Sequence, residues 1–133
     1  MYRYPGLYNT AGAMPMLDAA KLAYLDEFIE ANIARPIGLA DLAGVAGLSE
    51  YYFCRCFKQA TGTSPYQYLL GKRIERACAC LMRADLSIQD VAFASGFGDP
   101  VQFSKRFRRT QGATPSEFRA LHLSGRAAFV NVV

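Results

Sequence analysis

The chain repeats itself, and this repeat limits the available folds more than any other feature. Leu42-Ala43, Gly47, Phe53, Phe57, Gly62, Pro65 and Tyr68 recur as Val91-Ala92, Gly96, Phe103, Phe107, Gly112, Pro115 and Phe118. The offset is 49 residues up to the Gly and 50 beyond it, so one residue is inserted in the second copy's turn. Each copy reads as a short helix, a turn, a longer helix, a Gly stop and a Pro-started helix.

Helix punctuation supports this reading. Ser64-Pro65-Tyr66-Gln67 and Thr114-Pro115-Ser116-Glu117 each offer a hydroxyl cap, Pro at the first helical position and Gln or Glu at the third. Asp99-Pro100 is a further cap followed by Pro, and Ser87 caps Ile88-Gln89-Asp90. Gly62 and Gly112 stand where helices should stop. Upstream, Leu17, Leu25, Phe28, Ile29 and Ile33 recur at helical intervals, with Asp26, Glu27 and Glu30 on the other side, until Pro36 and Gly38 end the pattern. The expectation is an all-α fold of seven helices near 17–33, 39–46, 49–61, 64–83, 87–95, 99–111 and 114–122. These form two helix-turn-helix subdomains, 17–63 and 85–123, joined by a linker helix over 64–84. Residues 1–16 read as a flexible lead-in or linker remnant, and 124–133 as an apolar tail.

Composition narrows the function. With 52% apolar residues, the 133-residue chain can bury a core. Charges interrupt every apolar run, and no signal peptide opens the chain, so a cytoplasmic, nucleoid-associated protein with no membrane partner is expected. The net charge of +4 is unevenly spread: residues 1–48 sum to −2 and residues 49–126 to +6. An acidic polymer would sit on the second stretch. Cys54, Cys56, Cys78 and Cys80 are spaced C-x-C within helical stretches, where i and i+2 diverge. They read as mostly buried thiols, not metal ligands, and no cofactor is expected. His122 stands alone, and no phosphate loop, paired-acid constellation or nucleophile motif appears, so an enzyme is not expected.

The second helix of each unit is therefore the candidate site. Buried Phe53 and Phe57, or Phe103 and Phe107, would hold it at i, i+4 spacing. This leaves Glu50, Tyr51, Arg55 and Lys58 exposed in the first copy, and Val101, Ser104, Lys105, Arg108 and Arg109 in the second. Arg reads guanine edges in bidentate fashion, while Lys and Arg neutralise phosphates, so such helices suit the major groove of double-stranded DNA. A solvated charged face is the plain alternative for one copy alone, and two aligned copies weigh against it. A protein-interaction module with the same fold is the other competitor, and the basic later half argues against it. A linker helix of about 20 residues would span roughly 30 Å, close to the ~34 Å between adjacent major grooves.

These residues resemble the DNA-binding domain of the AraC/XylS family of bacterial transcription regulators. The carriers are Leu42-Ala43, Gly47-Leu48-Ser49, Phe53-x-Arg55-x-Phe57-Lys58 and Gly62-x-Ser64-Pro65-x-x-Tyr68, then Arg73-Ile74-x-x-Ala77. The most specific stretch runs from Ile88-x-Asp90-Val91-Ala92 and Gly96-Phe97 through Phe103-Ser104-Lys105-x-Phe107-Arg108 to Gly112-x-Thr114-Pro115 and Phe118-Arg119. The resemblance implies promoter binding and regulation of transcription, usually activation through contact with RNA polymerase. Carried over by position, it points Tyr51, Cys54 and Arg55 of the first reading helix, and Pro100, Val101, Ser104 and Lys105 of the second, toward bases. Cys54, Pro100 and Val101 replace polar residues common in the family, and Gly38 replaces the usual hydroxyl cap. Many members carry a small-molecule sensor domain, for which this length has no room; the chain is then either a stand-alone regulator or, the reading preferred, the DNA-binding part of a longer chain.

Overall fold

The computed structural model describes residues 17–132, with side chains described through Ser124. The expectations for the lead-in at 1–16 and for the side chains of the apolar tail lie outside the described residues. Among the described residues there are seven helices and no strand: α1 Ala19–Ala31, α2 Leu39–Ala46, α3 Glu50–Thr61, α4 Pro65–Leu81, α5 Ile88–Ala94, α6 Pro100–Gln111 and α7 Pro115–Val132. None of the helices so described is long and apolar enough to cross a membrane.

Helix starts fall where local hydrogen-bond chemistry puts them. The Asp18 carboxylate accepts from the Lys21 N–H at 2.9 Å, and the Ser64 hydroxyl from the Gln67 N–H at 3.2 Å. At α5 the exchange is reciprocal: Asp90 N–H donates to Ser87 Oγ at 2.9 Å, and Ser87 N–H to Asp90 Oδ2 at 3.3 Å. Thr114 and Glu117 do the same at α7, at 3.0 and 3.1 Å. Gly38 has no side chain to offer, yet its N–H donates to Asp41 Oδ2 at 2.8 Å, so half of the reciprocal pair survives at α2.

The chain forms two compact units that divide between Gly71 and Lys72, inside α4. The first packs α1, α2, α3 and the start of α4 around Leu25, Ile29, Leu42, Leu48, Phe53 and Phe57. The second packs the remainder of α4 with α5, α6 and α7, burying Leu81, Val91, Ala92, Phe103 and Phe107. In each unit an aromatic chain ties the second helix to the Pro-started one. Phe53 to Phe57 and Phe57 to Tyr68 are 5.3 and 5.0 Å between ring centroids. Phe103 to Phe107 and Phe107 to Phe118 are 5.6 and 5.2 Å. The last contact in both chains is edge-on, the arrangement favoured by the ring quadrupole.

Five details differ from the sequence expectation. The helix from Pro115 runs to Val132, where 122 was expected, because Gly125 inside a helical run is tolerated and does not act as a stop. The linker helix ends at Leu81, so its 17 residues span about 26 Å. Phe28 is only half-buried, and Asp26 does not sit wholly on a solvated face: its Oδ1 accepts from the Tyr68 hydroxyl at 2.6 Å. The cysteines are less buried than expected. Cys56 is buried, while Cys54, Cys78 and Cys80 are half-buried.

Candidate nucleic-acid interface

The turn ahead of each second helix is built twice in the same way. Gly47 and Gly96 take φ of 81° and 92°, the left-handed region that L side chains avoid. This reverses the chain so that the next N–H reaches back into the first helix. Leu48 N–H donates to the Ala43 carbonyl at 2.9 Å, and Phe97 N–H to the Ala92 carbonyl at 2.9 Å. A six-to-one bond of this kind closes a Schellman-type helix end. Ala43 and Ala92 are themselves buried, as small residues must be where the second helix crosses.

From these turns α3 and α6 emerge with matched caps. The Ser49 hydroxyl accepts from Tyr52 N–H at 3.2 Å; Asp99 Oδ1 accepts from Val101 N–H at 2.9 Å, with Pro100 at the first helical position. Gly62 and Gly112 end the two helices at φ of 80° and 79°. Phe53 and Phe57, like Phe103 and Phe107, are fully or almost fully buried. At 100° per residue, positions 51, 55 and 58 lie opposite 53 and 57, and 101, 105 and 108 lie opposite 103 and 107.

The structure distributes the expected site residues accordingly. On α3, Tyr51, Arg55 and Lys58 are exposed, and Cys54 is half-buried at the edge of the same face. On α6, Val101, Lys105, Arg108 and Arg109 are exposed. Ser104 was expected to be exposed; it is half-buried, as is Pro100. Exposure of two apolar groups on otherwise polar faces is notable: Tyr51 is 71% and Val101 61% accessible. A core does not use them, whereas a base edge or thymine methyl offers such groups a contact.

The sequence reading missed two side chains on these faces. Gln59 is exposed at the repeat position of Arg109, and Gln102 is exposed beside Val101. The 50-residue offset was the signal that would have found Gln59, since Arg109 was already singled out. Behind α3, burial pushes the Cys56 thiol above its ordinary range, opposed by the nearby Arg55 and Lys21 charges. Burial, then the Glu75 charge, does the same to Cys78. Among the described residues no group of His, Cys, Asp and Glu is arranged to hold a metal ion. His122 is exposed; its ring stacks on Phe118 at 3.9 Å, and Nδ1 lies 3.0 Å from the Phe118 carbonyl.

A helix-turn-helix domain model matches residues 42–121, which takes in both turns and both candidate reading helices. XylDLEGF operon transcriptional activator 2 of Pseudomonas putida is 35% identical over 99 residues, covering 72% of this chain and 63% of that protein. Among solved structures, the DNA-binding domain of AdpA, the global transcriptional factor, in complex with a target DNA, is 31% identical with a TM-score of 0.75. The match covers 80% of this chain and 96% of that one. An AraC-type regulator from Chromobacterium violaceum is 36% identical with a TM-score of 0.71, over 77% of this chain and 91% of that one. Matches to the curated relatives cover between 30% and 63% of their lengths for the Pseudomonas aeruginosa and P. putida proteins, less than two thirds in each case.

Proposed function

The chain belongs to the AraC/XylS family of helix-turn-helix transcription regulators and is an AraC-type DNA-binding domain; from that premise we propose that it activates transcription by reading two adjacent major grooves of a promoter. In this reading α3 presents Tyr51, Cys54 and Arg55 to bases, and α6 presents Pro100, Val101, Ser104 and Lys105. Lys58, Arg108 and Arg109 neutralise phosphates, and Gln59 joins them as a polar backbone contact. The single observation that carries the proposal is the duplicated frame: in both units the exposed face lies opposite a buried Phe pair and behind a positive-φ Gly turn. The positive sum over 49–126 supports the same partner.

RNA polymerase is the protein partner, and a small-molecule sensor domain in a longer chain supplies the regulatory signal. The greater length of the relatives supports the second of these. The domain carries out no catalysis, consistent with a family of regulators. It works in the cytoplasm on the nucleoid.

Selection of bound duplexes from a random library, followed by affinity against salt, tests the proposal. Two enriched half-sites about one helical turn apart are expected. Arg108→Ala or Arg109→Ala should then weaken binding to all sequences alike and reduce the salt slope by about 1. Enrichment of no sequence would refute specific reading. Absence of binding even at low salt would favour a protein-interaction module.

A further inference from the structure

We infer that Tyr51 is a positioning residue for Arg55, and that this pairing sets the base selectivity of the first reading helix. The inference rests on the reading of α3 as a base-reading helix. It goes beyond that reading by giving the Tyr51 hydroxyl a role exerted through its neighbour, in addition to the ring's own place on the base-facing side.

Tyr51 and Arg55 stand at i and i+4 on the exposed face of α3, the spacing at which helical side chains meet. Two contacts join them. Arg55 Nη1 donates to the Tyr51 hydroxyl at 3.2 Å, and the Arg55 guanidinium carbon lies 5.7 Å from the Tyr51 ring centroid. The first contact fixes one corner of the fork. The second lies within the roughly 6 Å over which a ring attracts a guanidinium. Both operate with the side chains in water, so they organise Arg55 before any partner arrives.

An unheld arginine carries many side-chain rotamers, and much of that freedom is lost when the fork docks on a guanine edge. Ordering the side chain in advance reduces that loss for the one base that matches the fork. The hydroxyl engages one corner of the guanidinium, and the fork has further N–H donors for the guanine O6 and N7 acceptors. The second unit offers a built-in contrast. Its equivalent pair is Val101 and Lys105. Valine has no acceptor and no ring, and lysine is a rotatable point charge. The first unit therefore reads with a held fork, and the second with an unheld ammonium and an apolar contact. Selectivity at the base under Arg55 should accordingly exceed that under Lys105.

The test uses the whole chain and the duplex enriched by selection, together with duplexes substituted singly at each half-site base. Arg55→Ala first identifies the base whose discrimination it abolishes. Tyr51→Phe, which keeps the ring and removes the hydroxyl, should reduce discrimination at that same base by about 3- to 10-fold. It should leave the slope of affinity against salt parallel to that of the parent, because tyrosine is neutral. In an Arg55→Ala background, Tyr51→Phe should have no further effect on discrimination. The inference is overturned if Tyr51→Phe weakens all duplexes equally, or if its effect at the base under Arg55 persists without Arg55, since the hydroxyl would then act on that base by itself and not through the guanidinium. If Arg55→Ala changes discrimination at no base, the base-reading role of α3 fails first and the positioning role with it, a result distinct from either of the others.

Discussion

Where the first unit buries Leu48 at the end of its turn, the second places Phe97, whose ring lies 5.0 Å from that of Phe103. Similar exchanges run through the two copies. Ala46 is matched by Ser95, buried with its hydroxyl on the Val91 carbonyl at 2.7 Å. Buried Cys56 is matched by half-buried Arg106, and Gly38, with its half cap, by Ser87, with a complete one. The turn glycines, the small residue before them, the Phe pairs and the Gly stops are shared. Backbone conformation and helix crossing depend on those shared positions, which therefore carry the frame. What differs is either packing that one unit can complete in its own way or a surface that meets the partner.

The sharpest difference lies at one repeat position. In the first unit Leu69 is buried. In the second, Arg119 stands there and donates from Nε to the Leu81 carbonyl at 2.8 Å and from Nη2 to the Arg83 carbonyl at 2.9 Å. The end of a helix leaves carbonyls without partners; the guanidinium satisfies that of Leu81, the last residue of α4, and adds a bond to the Arg83 carbonyl, which also accepts from the Leu86 N–H. An apolar anchor in one copy is thus replaced by a polar clasp on the α4 terminus in the other.

The comparison can be broken at several points. The largest effects belong to the Phe pairs: Phe57→Ala and Phe107→Ala should each cost about 3–5 kcal/mol in denaturant titration. Amide exchange should show protection falling first within the substituted unit. Equal loss in both units from one substitution would contradict their independence. Arg119→Met should cost about 1 kcal/mol by leaving the Leu81 carbonyl at the end of α4 without its partner. The loss should be confined to the second unit, and an unchanged urea midpoint would remove the clasp from the account.

Gly62→Ala and Gly112→Ala form a matched pair. The two φ angles agree within a degree, and an added Cβ would meet nothing within 4 Å at either site. Each should cost about 1 kcal/mol, purely conformational, and the two costs should be equal. Unequal thermal shifts would show that the frame is less shared than the angles indicate. The smallest effect is one of pH. The Thr114 backbone N–H holds the Glu117 carboxyl below its ordinary range. A carboxyl lowered in the folded state contributes stability above its unfolded pKa, which is lost as pH falls through the folded value. Acid titration of stability should thus weaken the α7 start, and Glu117→Gln should abolish that component. The first unit has Gln67 at this position and no such titration.

Much of this frame was legible because it is written in local chemistry. Caps at Ser64, Ser87, Asp99 and Thr114, and stops at Gly62 and Gly112, each act within a few residues, and the repeat let one copy check the other. The misses are of another kind. Leu81 ends α4, and Arg119, 38 residues away, meets its carbonyl, so no local pattern marks that contact. Asp26 looked solvated because its partner, Tyr68, lies 42 residues away. The last helix runs past its expected end near 122, through Gly125, because a glycine's cost in a helix is small enough for its surroundings to override. For the interface, the charged positions were legible from periodicity. The half-burial of Ser104 and the contact between Tyr51 and Arg55 needed coordinates.

If both units read DNA, each with its own helix, the two half-sites can be separated by substitution. Binding of the parent chain, Arg55→Ala and Lys105→Ala would be compared on duplexes in which one half-site or the other is scrambled. Arg55→Ala should lose discrimination in one half-site only and Lys105→Ala in the other only, with about 1–3 kcal/mol at stake for the arginine. Loss of discrimination in the same half-site for both variants, or in neither, would contradict reading by both units.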